Sequence, residues 1–106
     1  DKRFILPQEN KNVNHAYHLF PLQINFKKTK IDKITLFKKM KLAGINLQVH
    51  YIPIHMQPFY KKKYKFKKGD FINAENFYEN EVSMPIYPSL TLNDADRIIK
   101  TLIKLI

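Results

Sequence analysis

The residues best equipped for chemistry lie together in Gln48-Val49-His50-Tyr51-Ile52-Pro53-Ile54-His55, continued by Met56-Gln57-Pro58-Phe59-Tyr60. Imidazoles and phenols can bind ligands, pass protons or, for histidine, hold a metal. Leu47 to Ile52 is rich in β-branched and aromatic residues and reads as the central strand of the chain. Alternation then puts Gln48, His50 and Ile52 on one face, and Val49 and Tyr51 on the other. Pro53 has no amide hydrogen and biases Ile52 to extended geometry, so pairing should stop there. A strand end that releases polar aromatics into a loop is a common setting for a site.

Several chemistries can be weighed against that stretch. His50 and His55 could ligate a metal with His15 and His18. No spacing among them matches a zinc pattern, however, and the chain has no cysteine. With no acidic residue near the pair in sequence, structural histidines are the simpler reading. The sequence assembles no Ser/His/Asp triad and no paired catalytic carboxylates. Gly44 and Gly69 are the only glycines, which excludes a glycine-rich phosphate loop. Lys61 to Lys68 interleaves Tyr64 and Phe66 with lysines, a pattern that suits single-stranded nucleic acid. A solvated loop with two aromatics tucked onto the core is the plainer reading. The formal net charge of +10 comes almost wholly from lysine, with Arg3 and Arg97 the only arginines. Richness in lysine, isoleucine and asparagine is what an A/T-rich genome writes, and it needs no polyanionic partner.

The elements that must position these residues can be read in order. At 106 residues the chain is a single domain, residues 1–106. No apolar run approaches a membrane span, no secretory leader is visible, and a cytoplasmic protein is expected. The first residue is Asp1, which suggests a piece of something longer. Residues 1–16 read as an opening loop, and Tyr17 to Phe26 as a strand in which Pro21 demands an edge or a bulge. Lys27 to Lys30 is a basic turn. Ile31 to Ala43 reads as a helix with an inner stripe of Ile34, Phe37 and Met40, Asp32 at its start and Gly44 at C′. Tyr60 to Gly69 reads as a loop. Asp70 to Val82 reads as a helix facing inward through Ala74, Phe77, Tyr78 and Val82, with Asp70 or Asn73 as the cap. Ser83 to Tyr87 is a short extended piece. Leu92 to Ile106 is the clearest helix, capped by Thr91 with Asp94 at N3, its stripe Leu92, Ala95, Ile98, Ile99, Leu102, Ile103 and Ile106. The order gives an α+β fold, a small mainly antiparallel sheet with helices packed on one side.

At His50-Tyr51-Ile52-Pro53-Ile54-His55 and Gln57-Pro58-Phe59-Tyr60 the chain resembles a known family, the DegT/DnrJ/StrS-type nucleotide-sugar aminotransferases. His15 to Phe20 resembles the first strand of that family's C-terminal small domain. Leu42-Ala43-Gly44-Ile45 with Gln48-Val49-His50-Tyr51 resembles its helix-to-strand turn. Ser83-Met84-Pro85-Ile86-Tyr87-Pro88 and Leu92 to Ile106 resemble its last strand and terminal helix. The wording of the histidine stretch is most similar to transaminases of pseudaminic-acid synthesis, which act on a UDP-linked 4-keto-6-deoxy-N-acetylhexosamine.

The resemblance implies the small domain of an aspartate-aminotransferase-fold enzyme. It implies pyridoxal phosphate as cofactor, bound by an N-terminal domain whose lysine is not among these residues. Glutamate and a nucleotide sugar would be the substrates, the intact enzyme a homodimer, and its setting cell-surface sugar biosynthesis. His50, Tyr51, Pro53 and His55 are implied to touch the nucleotide sugar, with Gln48 and Tyr60 as weaker candidates. No residue here is implied to be catalytic, to hold the cofactor or to hold a metal. The alternative from residue chemistry is a nucleic-acid-binding module built on Lys61 to Lys68.

Overall fold

The structure is a computed structural model describing residues 1–106. Three antiparallel strands form the sheet, in the order β1 (Phe4–Ile5), β2 (Phe20–Ile24), β3 (Glu81–Met84). Four α-helices join or flank them: α1 (Lys33–Leu42), α2 (Pro58–Tyr64), α3 (Ile72–Asn80) and α4 (Leu92–Leu105). The α+β architecture expected from the order of elements is present.

The central strand is β2, not the histidine stretch. Leu22 pairs with Val82, and Ile24 with Phe4, so one face of the sheet is apolar. Onto it pack Leu36 and Met40 of α1 and Ile98, Leu102 and Ile106 at α4 and its end. Pro21 pairs with Ser83 inside the sheet. It is tolerated because the N–H and C=O of Ser83 both bond to Gln48 on the opposite side, at 2.9 and 3.1 Å. The Pro21–Ser83 pair therefore requires no amide from proline, and β1 does not extend as far as Pro21.

Helix ends follow the expected chemistry. The Asp32 carboxylate accepts from Thr35 N at 2.7 Å. At the other end of α1, Gly44 takes φ +73°, Ile45 N donates to Met40 O and Gly44 N to Lys41 O. These two bonds are the paired bonds of a Schellman motif, closed by buried Met40 and Ile45. In α4 the Thr91 hydroxyl and the Asp94 carboxylate satisfy each other's backbone amides.

Several readings need correction. The expected strand Leu47–Ile52 contributes one bridge, Gln48 to Ser83. Beyond it the amide of His50 goes to a side chain, Glu81 Oε2 at 3.1 Å, and the ladder ends. The expected lysine loop contains α2, started by Pro58 at a first-turn position, where a missing N–H costs nothing, and followed by Lys65 in the left-handed region at φ +60°. The helix expected to run to Val82 stops at Asn80, and β3 begins at once. Its cap is not Asp70 or Asn73: Asp70 instead accepts from Lys67 N at 2.8 Å. The stripe of α1 is rotated, with Leu36 and Met40 buried and Ile34 69% exposed. A spacing of four places Leu36 and Met40 on one face, and the sheet selected that face. Likewise Leu92 is exposed, and Ile99 and Ile103 wall an apolar groove of about 520 Å³ with Leu6 and Phe20.

Candidate functional site

Strand geometry builds the site from the polar side of β3. Successive side chains alternate, so Val82 enters the core while Glu81 and Ser83 share the other face. Both are nonetheless buried, Glu81 completely. What covers them is the chain leaving Gln48. The His50 amide donates to Glu81 Oε2, Ser83 Oγ donates to Glu81 Oε1, and His50 Nδ1 lies 2.7 Å from Ser83 Oγ. A serine, a histidine and a carboxylate thus come together after all. The serine sits in the middle with its hydrogen directed to Glu81, so it is not arranged as a nucleophile.

His50, Gln48 and Ser83 line a polar cavity of about 440 Å³ together with His18, Asn46 and Arg97. No carboxylate lines it directly. Arg97 reaches it from α4 and spends one nitrogen on Ala43 O at 3.2 Å. Such a cavity offers imidazole, amide and guanidinium groups, a set suited to hydroxyls and phosphate oxygens.

The remaining sequence candidates fall elsewhere. Tyr51 is 71% exposed, its ring edge-on to His50 at 4.7 Å. Pro53 is half-buried and opens the 3-10 turn Ile54–Met56. His55 is buried, with Nε2 paired to Glu75 Oε1 at 2.9 Å and Phe71 4.7 Å away. Glu75 also accepts from Gly69 N, at 2.8 and 2.9 Å. The Gly69 amide, then His55, holds the Glu75 carboxyl below the usual glutamate range. Tyr60 stacks on Tyr64 at the surface of α2. The stretch therefore divides into a pocket end, Gln48 and His50, and an anchored end, Pro53–His55.

Sequence reasoning missed Glu75, Glu81, Ser83 and Arg97. His50, through its amide, and His55, through its ring, each have an acidic neighbour, supplied from 20 or more residues away. The pairing of Glu81 with Ser83 was available as an i, i+2 spacing, had the start of β3 been recognised.

Comparison with known proteins places these features in a wider setting. The profile of the DegT/DnrJ/EryC1/StrS aminotransferase family matches residues 2–103. The chain is 43% identical to the uncharacterized protein MJ1066 of Methanocaldococcus jannaschii over 96% of its length. It is 36% identical to the spore coat polysaccharide biosynthesis protein SpsC of Bacillus subtilis over 91%. Among solved structures it resembles Helicobacter pylori PseC, an aminotransferase of pseudoaminic acid biosynthesis. That match has a TM-score of 0.73 and 28% identity over 83% of the chain. The chain spans 26%, 25% and 23% of the lengths of these three proteins. Solved structures of the same fold include forms with pyridoxal or pyridoxamine phosphate.

The residues present do not compose a site for that cofactor. Lys33 is the only lysine that is not exposed, and burial pushes its amine below the usual lysine range. Its Nζ donates to Tyr78 O at 2.6 Å and lies over the Tyr78 ring. Around it stand Ile34, Phe37, Lys38, Val49 and Glu79. Lys38 is the single further cation there and is opposed by Glu79, which is too little to cradle a phosphate.

Proposed function

The chain belongs to the DegT/DnrJ/EryC1/StrS aminotransferase family, and on that premise we propose that it is the C-terminal small domain of a longer sugar-nucleotide aminotransferase. The enzyme moves an amino group from glutamate to a keto-sugar nucleotide in cell-surface polysaccharide or glycoconjugate biosynthesis. Pyridoxal phosphate, held outside these residues, supplies the amino-transfer chemistry. The domain's own task is placement of the substrate. Gln48 and His50 meet the sugar or its diphosphate, Tyr51 flanks them, and Pro53 and His55 hold the loop in register. Tyr60, stacked on α2, contributes at the rim.

The observation that carries this reading is the cavity bounded by Gln48, His50 and Arg97, walled without a carboxylate on a fold shared with sugar aminotransferases. The stretch His50–His55 and the likeness to PseC favour a UDP-linked 4-keto-6-deoxy-N-acetylhexosamine as substrate. The intact enzyme works as a homodimer in the cytoplasm.

The test is to express the full reading frame that contains this chain. Glutamate-dependent amination of that keto-sugar nucleotide is expected, in a protein that carries a cofactor lysine upstream of Asp1. In it, His50→Ala and Tyr51→Phe should raise KM for the sugar nucleotide while the cofactor absorbance stays unchanged. A frame without such a lysine domain, or loss of the cofactor absorbance in either variant, refutes the assignment.

A further inference from the structure

Glu81 is a fully buried carboxylate in a domain with few buried polar side chains. Burying a charge is costly unless it is hydrogen-bonded, and hydrophobic residues are often a cheaper solution. Its oxygens take the Ser83 hydroxyl and the His50 amide, and Lys33, half-buried, lies within its electrostatic reach. A count of hydrogens fixes the rest. Ser83 Oγ has one hydrogen, and it goes to Glu81 Oε1. The 2.7 Å contact from Ser83 Oγ to His50 Nδ1 then requires the hydrogen on Nδ1. With the opposite tautomer, serine would have to donate twice. His50 Nε2 has no protein partner and is not buried, and the ring lies on the wall of the 440 Å³ cavity.

We propose that Glu81 and Ser83 are positioning residues that hold the neutral His50 ring as its Nδ1–H tautomer. Nε2 is thereby left as a hydrogen-bond acceptor for a hydroxyl of the sugar that enters the cavity. The identity of the ligand rests on the proposed function; the tautomer does not. A neutral ring held this way receives a hydroxyl hydrogen, whereas the other tautomer would present a donor. The carboxylate–serine pair thus decides which kind of group the cavity accepts.

The experiment is a long-range proton–nitrogen correlation spectrum of the chain with 15N-histidine, recorded at a pH where the ring is neutral. His50 should show a pyrrole-type Nδ1 and a pyridine-type Nε2. In Ser83→Ala the ring should revert to the Nε2–H form that free imidazole side chains favour, while Ser83→Thr, which keeps the hydroxyl, should retain the wild-type pattern. An Nε2–H ring in the unsubstituted protein overturns the relay, whether or not Ser83→Ala folds. An unchanged tautomer in folded Ser83→Ala also overturns it. Titration with UDP-N-acetylglucosamine should move the Nε2 resonance upfield, and UDP alone should not. Equal movement with both, or none with either, overturns the hydroxyl assignment. With the Nδ1–H pattern intact, that second result also counts against a sugar-nucleotide site, so the two failures are distinguishable.

Discussion

His55 and Glu75 show how one buried pair ties down a surface stretch. The imidazole reaches Glu75 Oε1, and the same carboxylate receives the Gly69 amide ahead of α3. The pair therefore joins the turn after Pro53 to the segment before α3. Because its carboxyl is held low by Gly69 and then His55, Glu75 binds a proton more readily in the unfolded chain. Its stabilisation is thus complete above the ordinary glutamate pKa and is lost as pH falls through the lowered folded value. Asp32 and Asp94, held low by Thr35 and Thr91, act in the same sense. The urea midpoint should therefore drop progressively below about pH 5. Glu75→Gln should lower the midpoint at neutral pH and reduce its acid dependence, because an amide has no proton to gain. A variant that keeps the full acid slope would show that Glu75 contributes none of it.

At the scale of elements, the two helices on the core face are held mainly by their ends and by one stripe each. Gly44 has a positive φ and open space around its α-carbon, so an added methyl meets strain in the backbone rather than a clash. Gly44→Ala should cost about 1–2 kcal/mol, the left-handed penalty for an L-residue. Thr91→Ala removes half of a capping box and should cost about 1 kcal/mol. Met40→Ala should cost about 2–5 kcal/mol, since Met40 is completely buried between α1 and the sheet. Urea denaturation of the three variants ranks them. A Met40→Ala cost below that of Thr91→Ala would contradict the core described above. The short helix α2 has no buried residue, and its lysines approach its own aromatics, with Lys63 over Phe59 and Tyr64. Tyr60 and Tyr64 face each other, so bases would have to compete for those rings.

For the molecule as a whole, the expected behaviour is a folded domain without transaminase chemistry of its own. Lys33 is the strongest candidate to contradict this, since burial lowers its pKa, as a nucleophilic lysine requires. Its hydrogen bond to Tyr78, and surroundings in which one further cation, Lys38, is opposed by Glu79, argue the other way. Titration of the chain with pyridoxal phosphate should give no saturable absorbance change that borohydride fixes to a single lysine. One stoichiometric adduct at Lys33 would overturn the assignment of the cofactor to residues outside this domain.

The division between sequence and tertiary structure follows the range of the forces involved. Local chemistry was legible: the Thr91–Asp94 box, an acidic residue, Asp32, at the start of α1 and glycine at its end each depend on residues within about one turn of one another. So was the attraction of the Gln48–His55 stretch, whose residue types announce themselves. What the sequence left open was which partner each group would find. Whether Ile34 or Leu36 faces inward depends on where the sheet lies. The expected strand at Leu47–Ile52 yields to a single bridge because His50 finds Glu81, a side chain 31 residues away, more available than a neighbouring strand. Glu75, Glu81 and Ser83 carry no signal as isolated letters. They become part of a site only when β3 turns two of them onto the polar face of the sheet and α3 brings the third beneath His55, where burial makes an unpaired polar group too costly to leave alone.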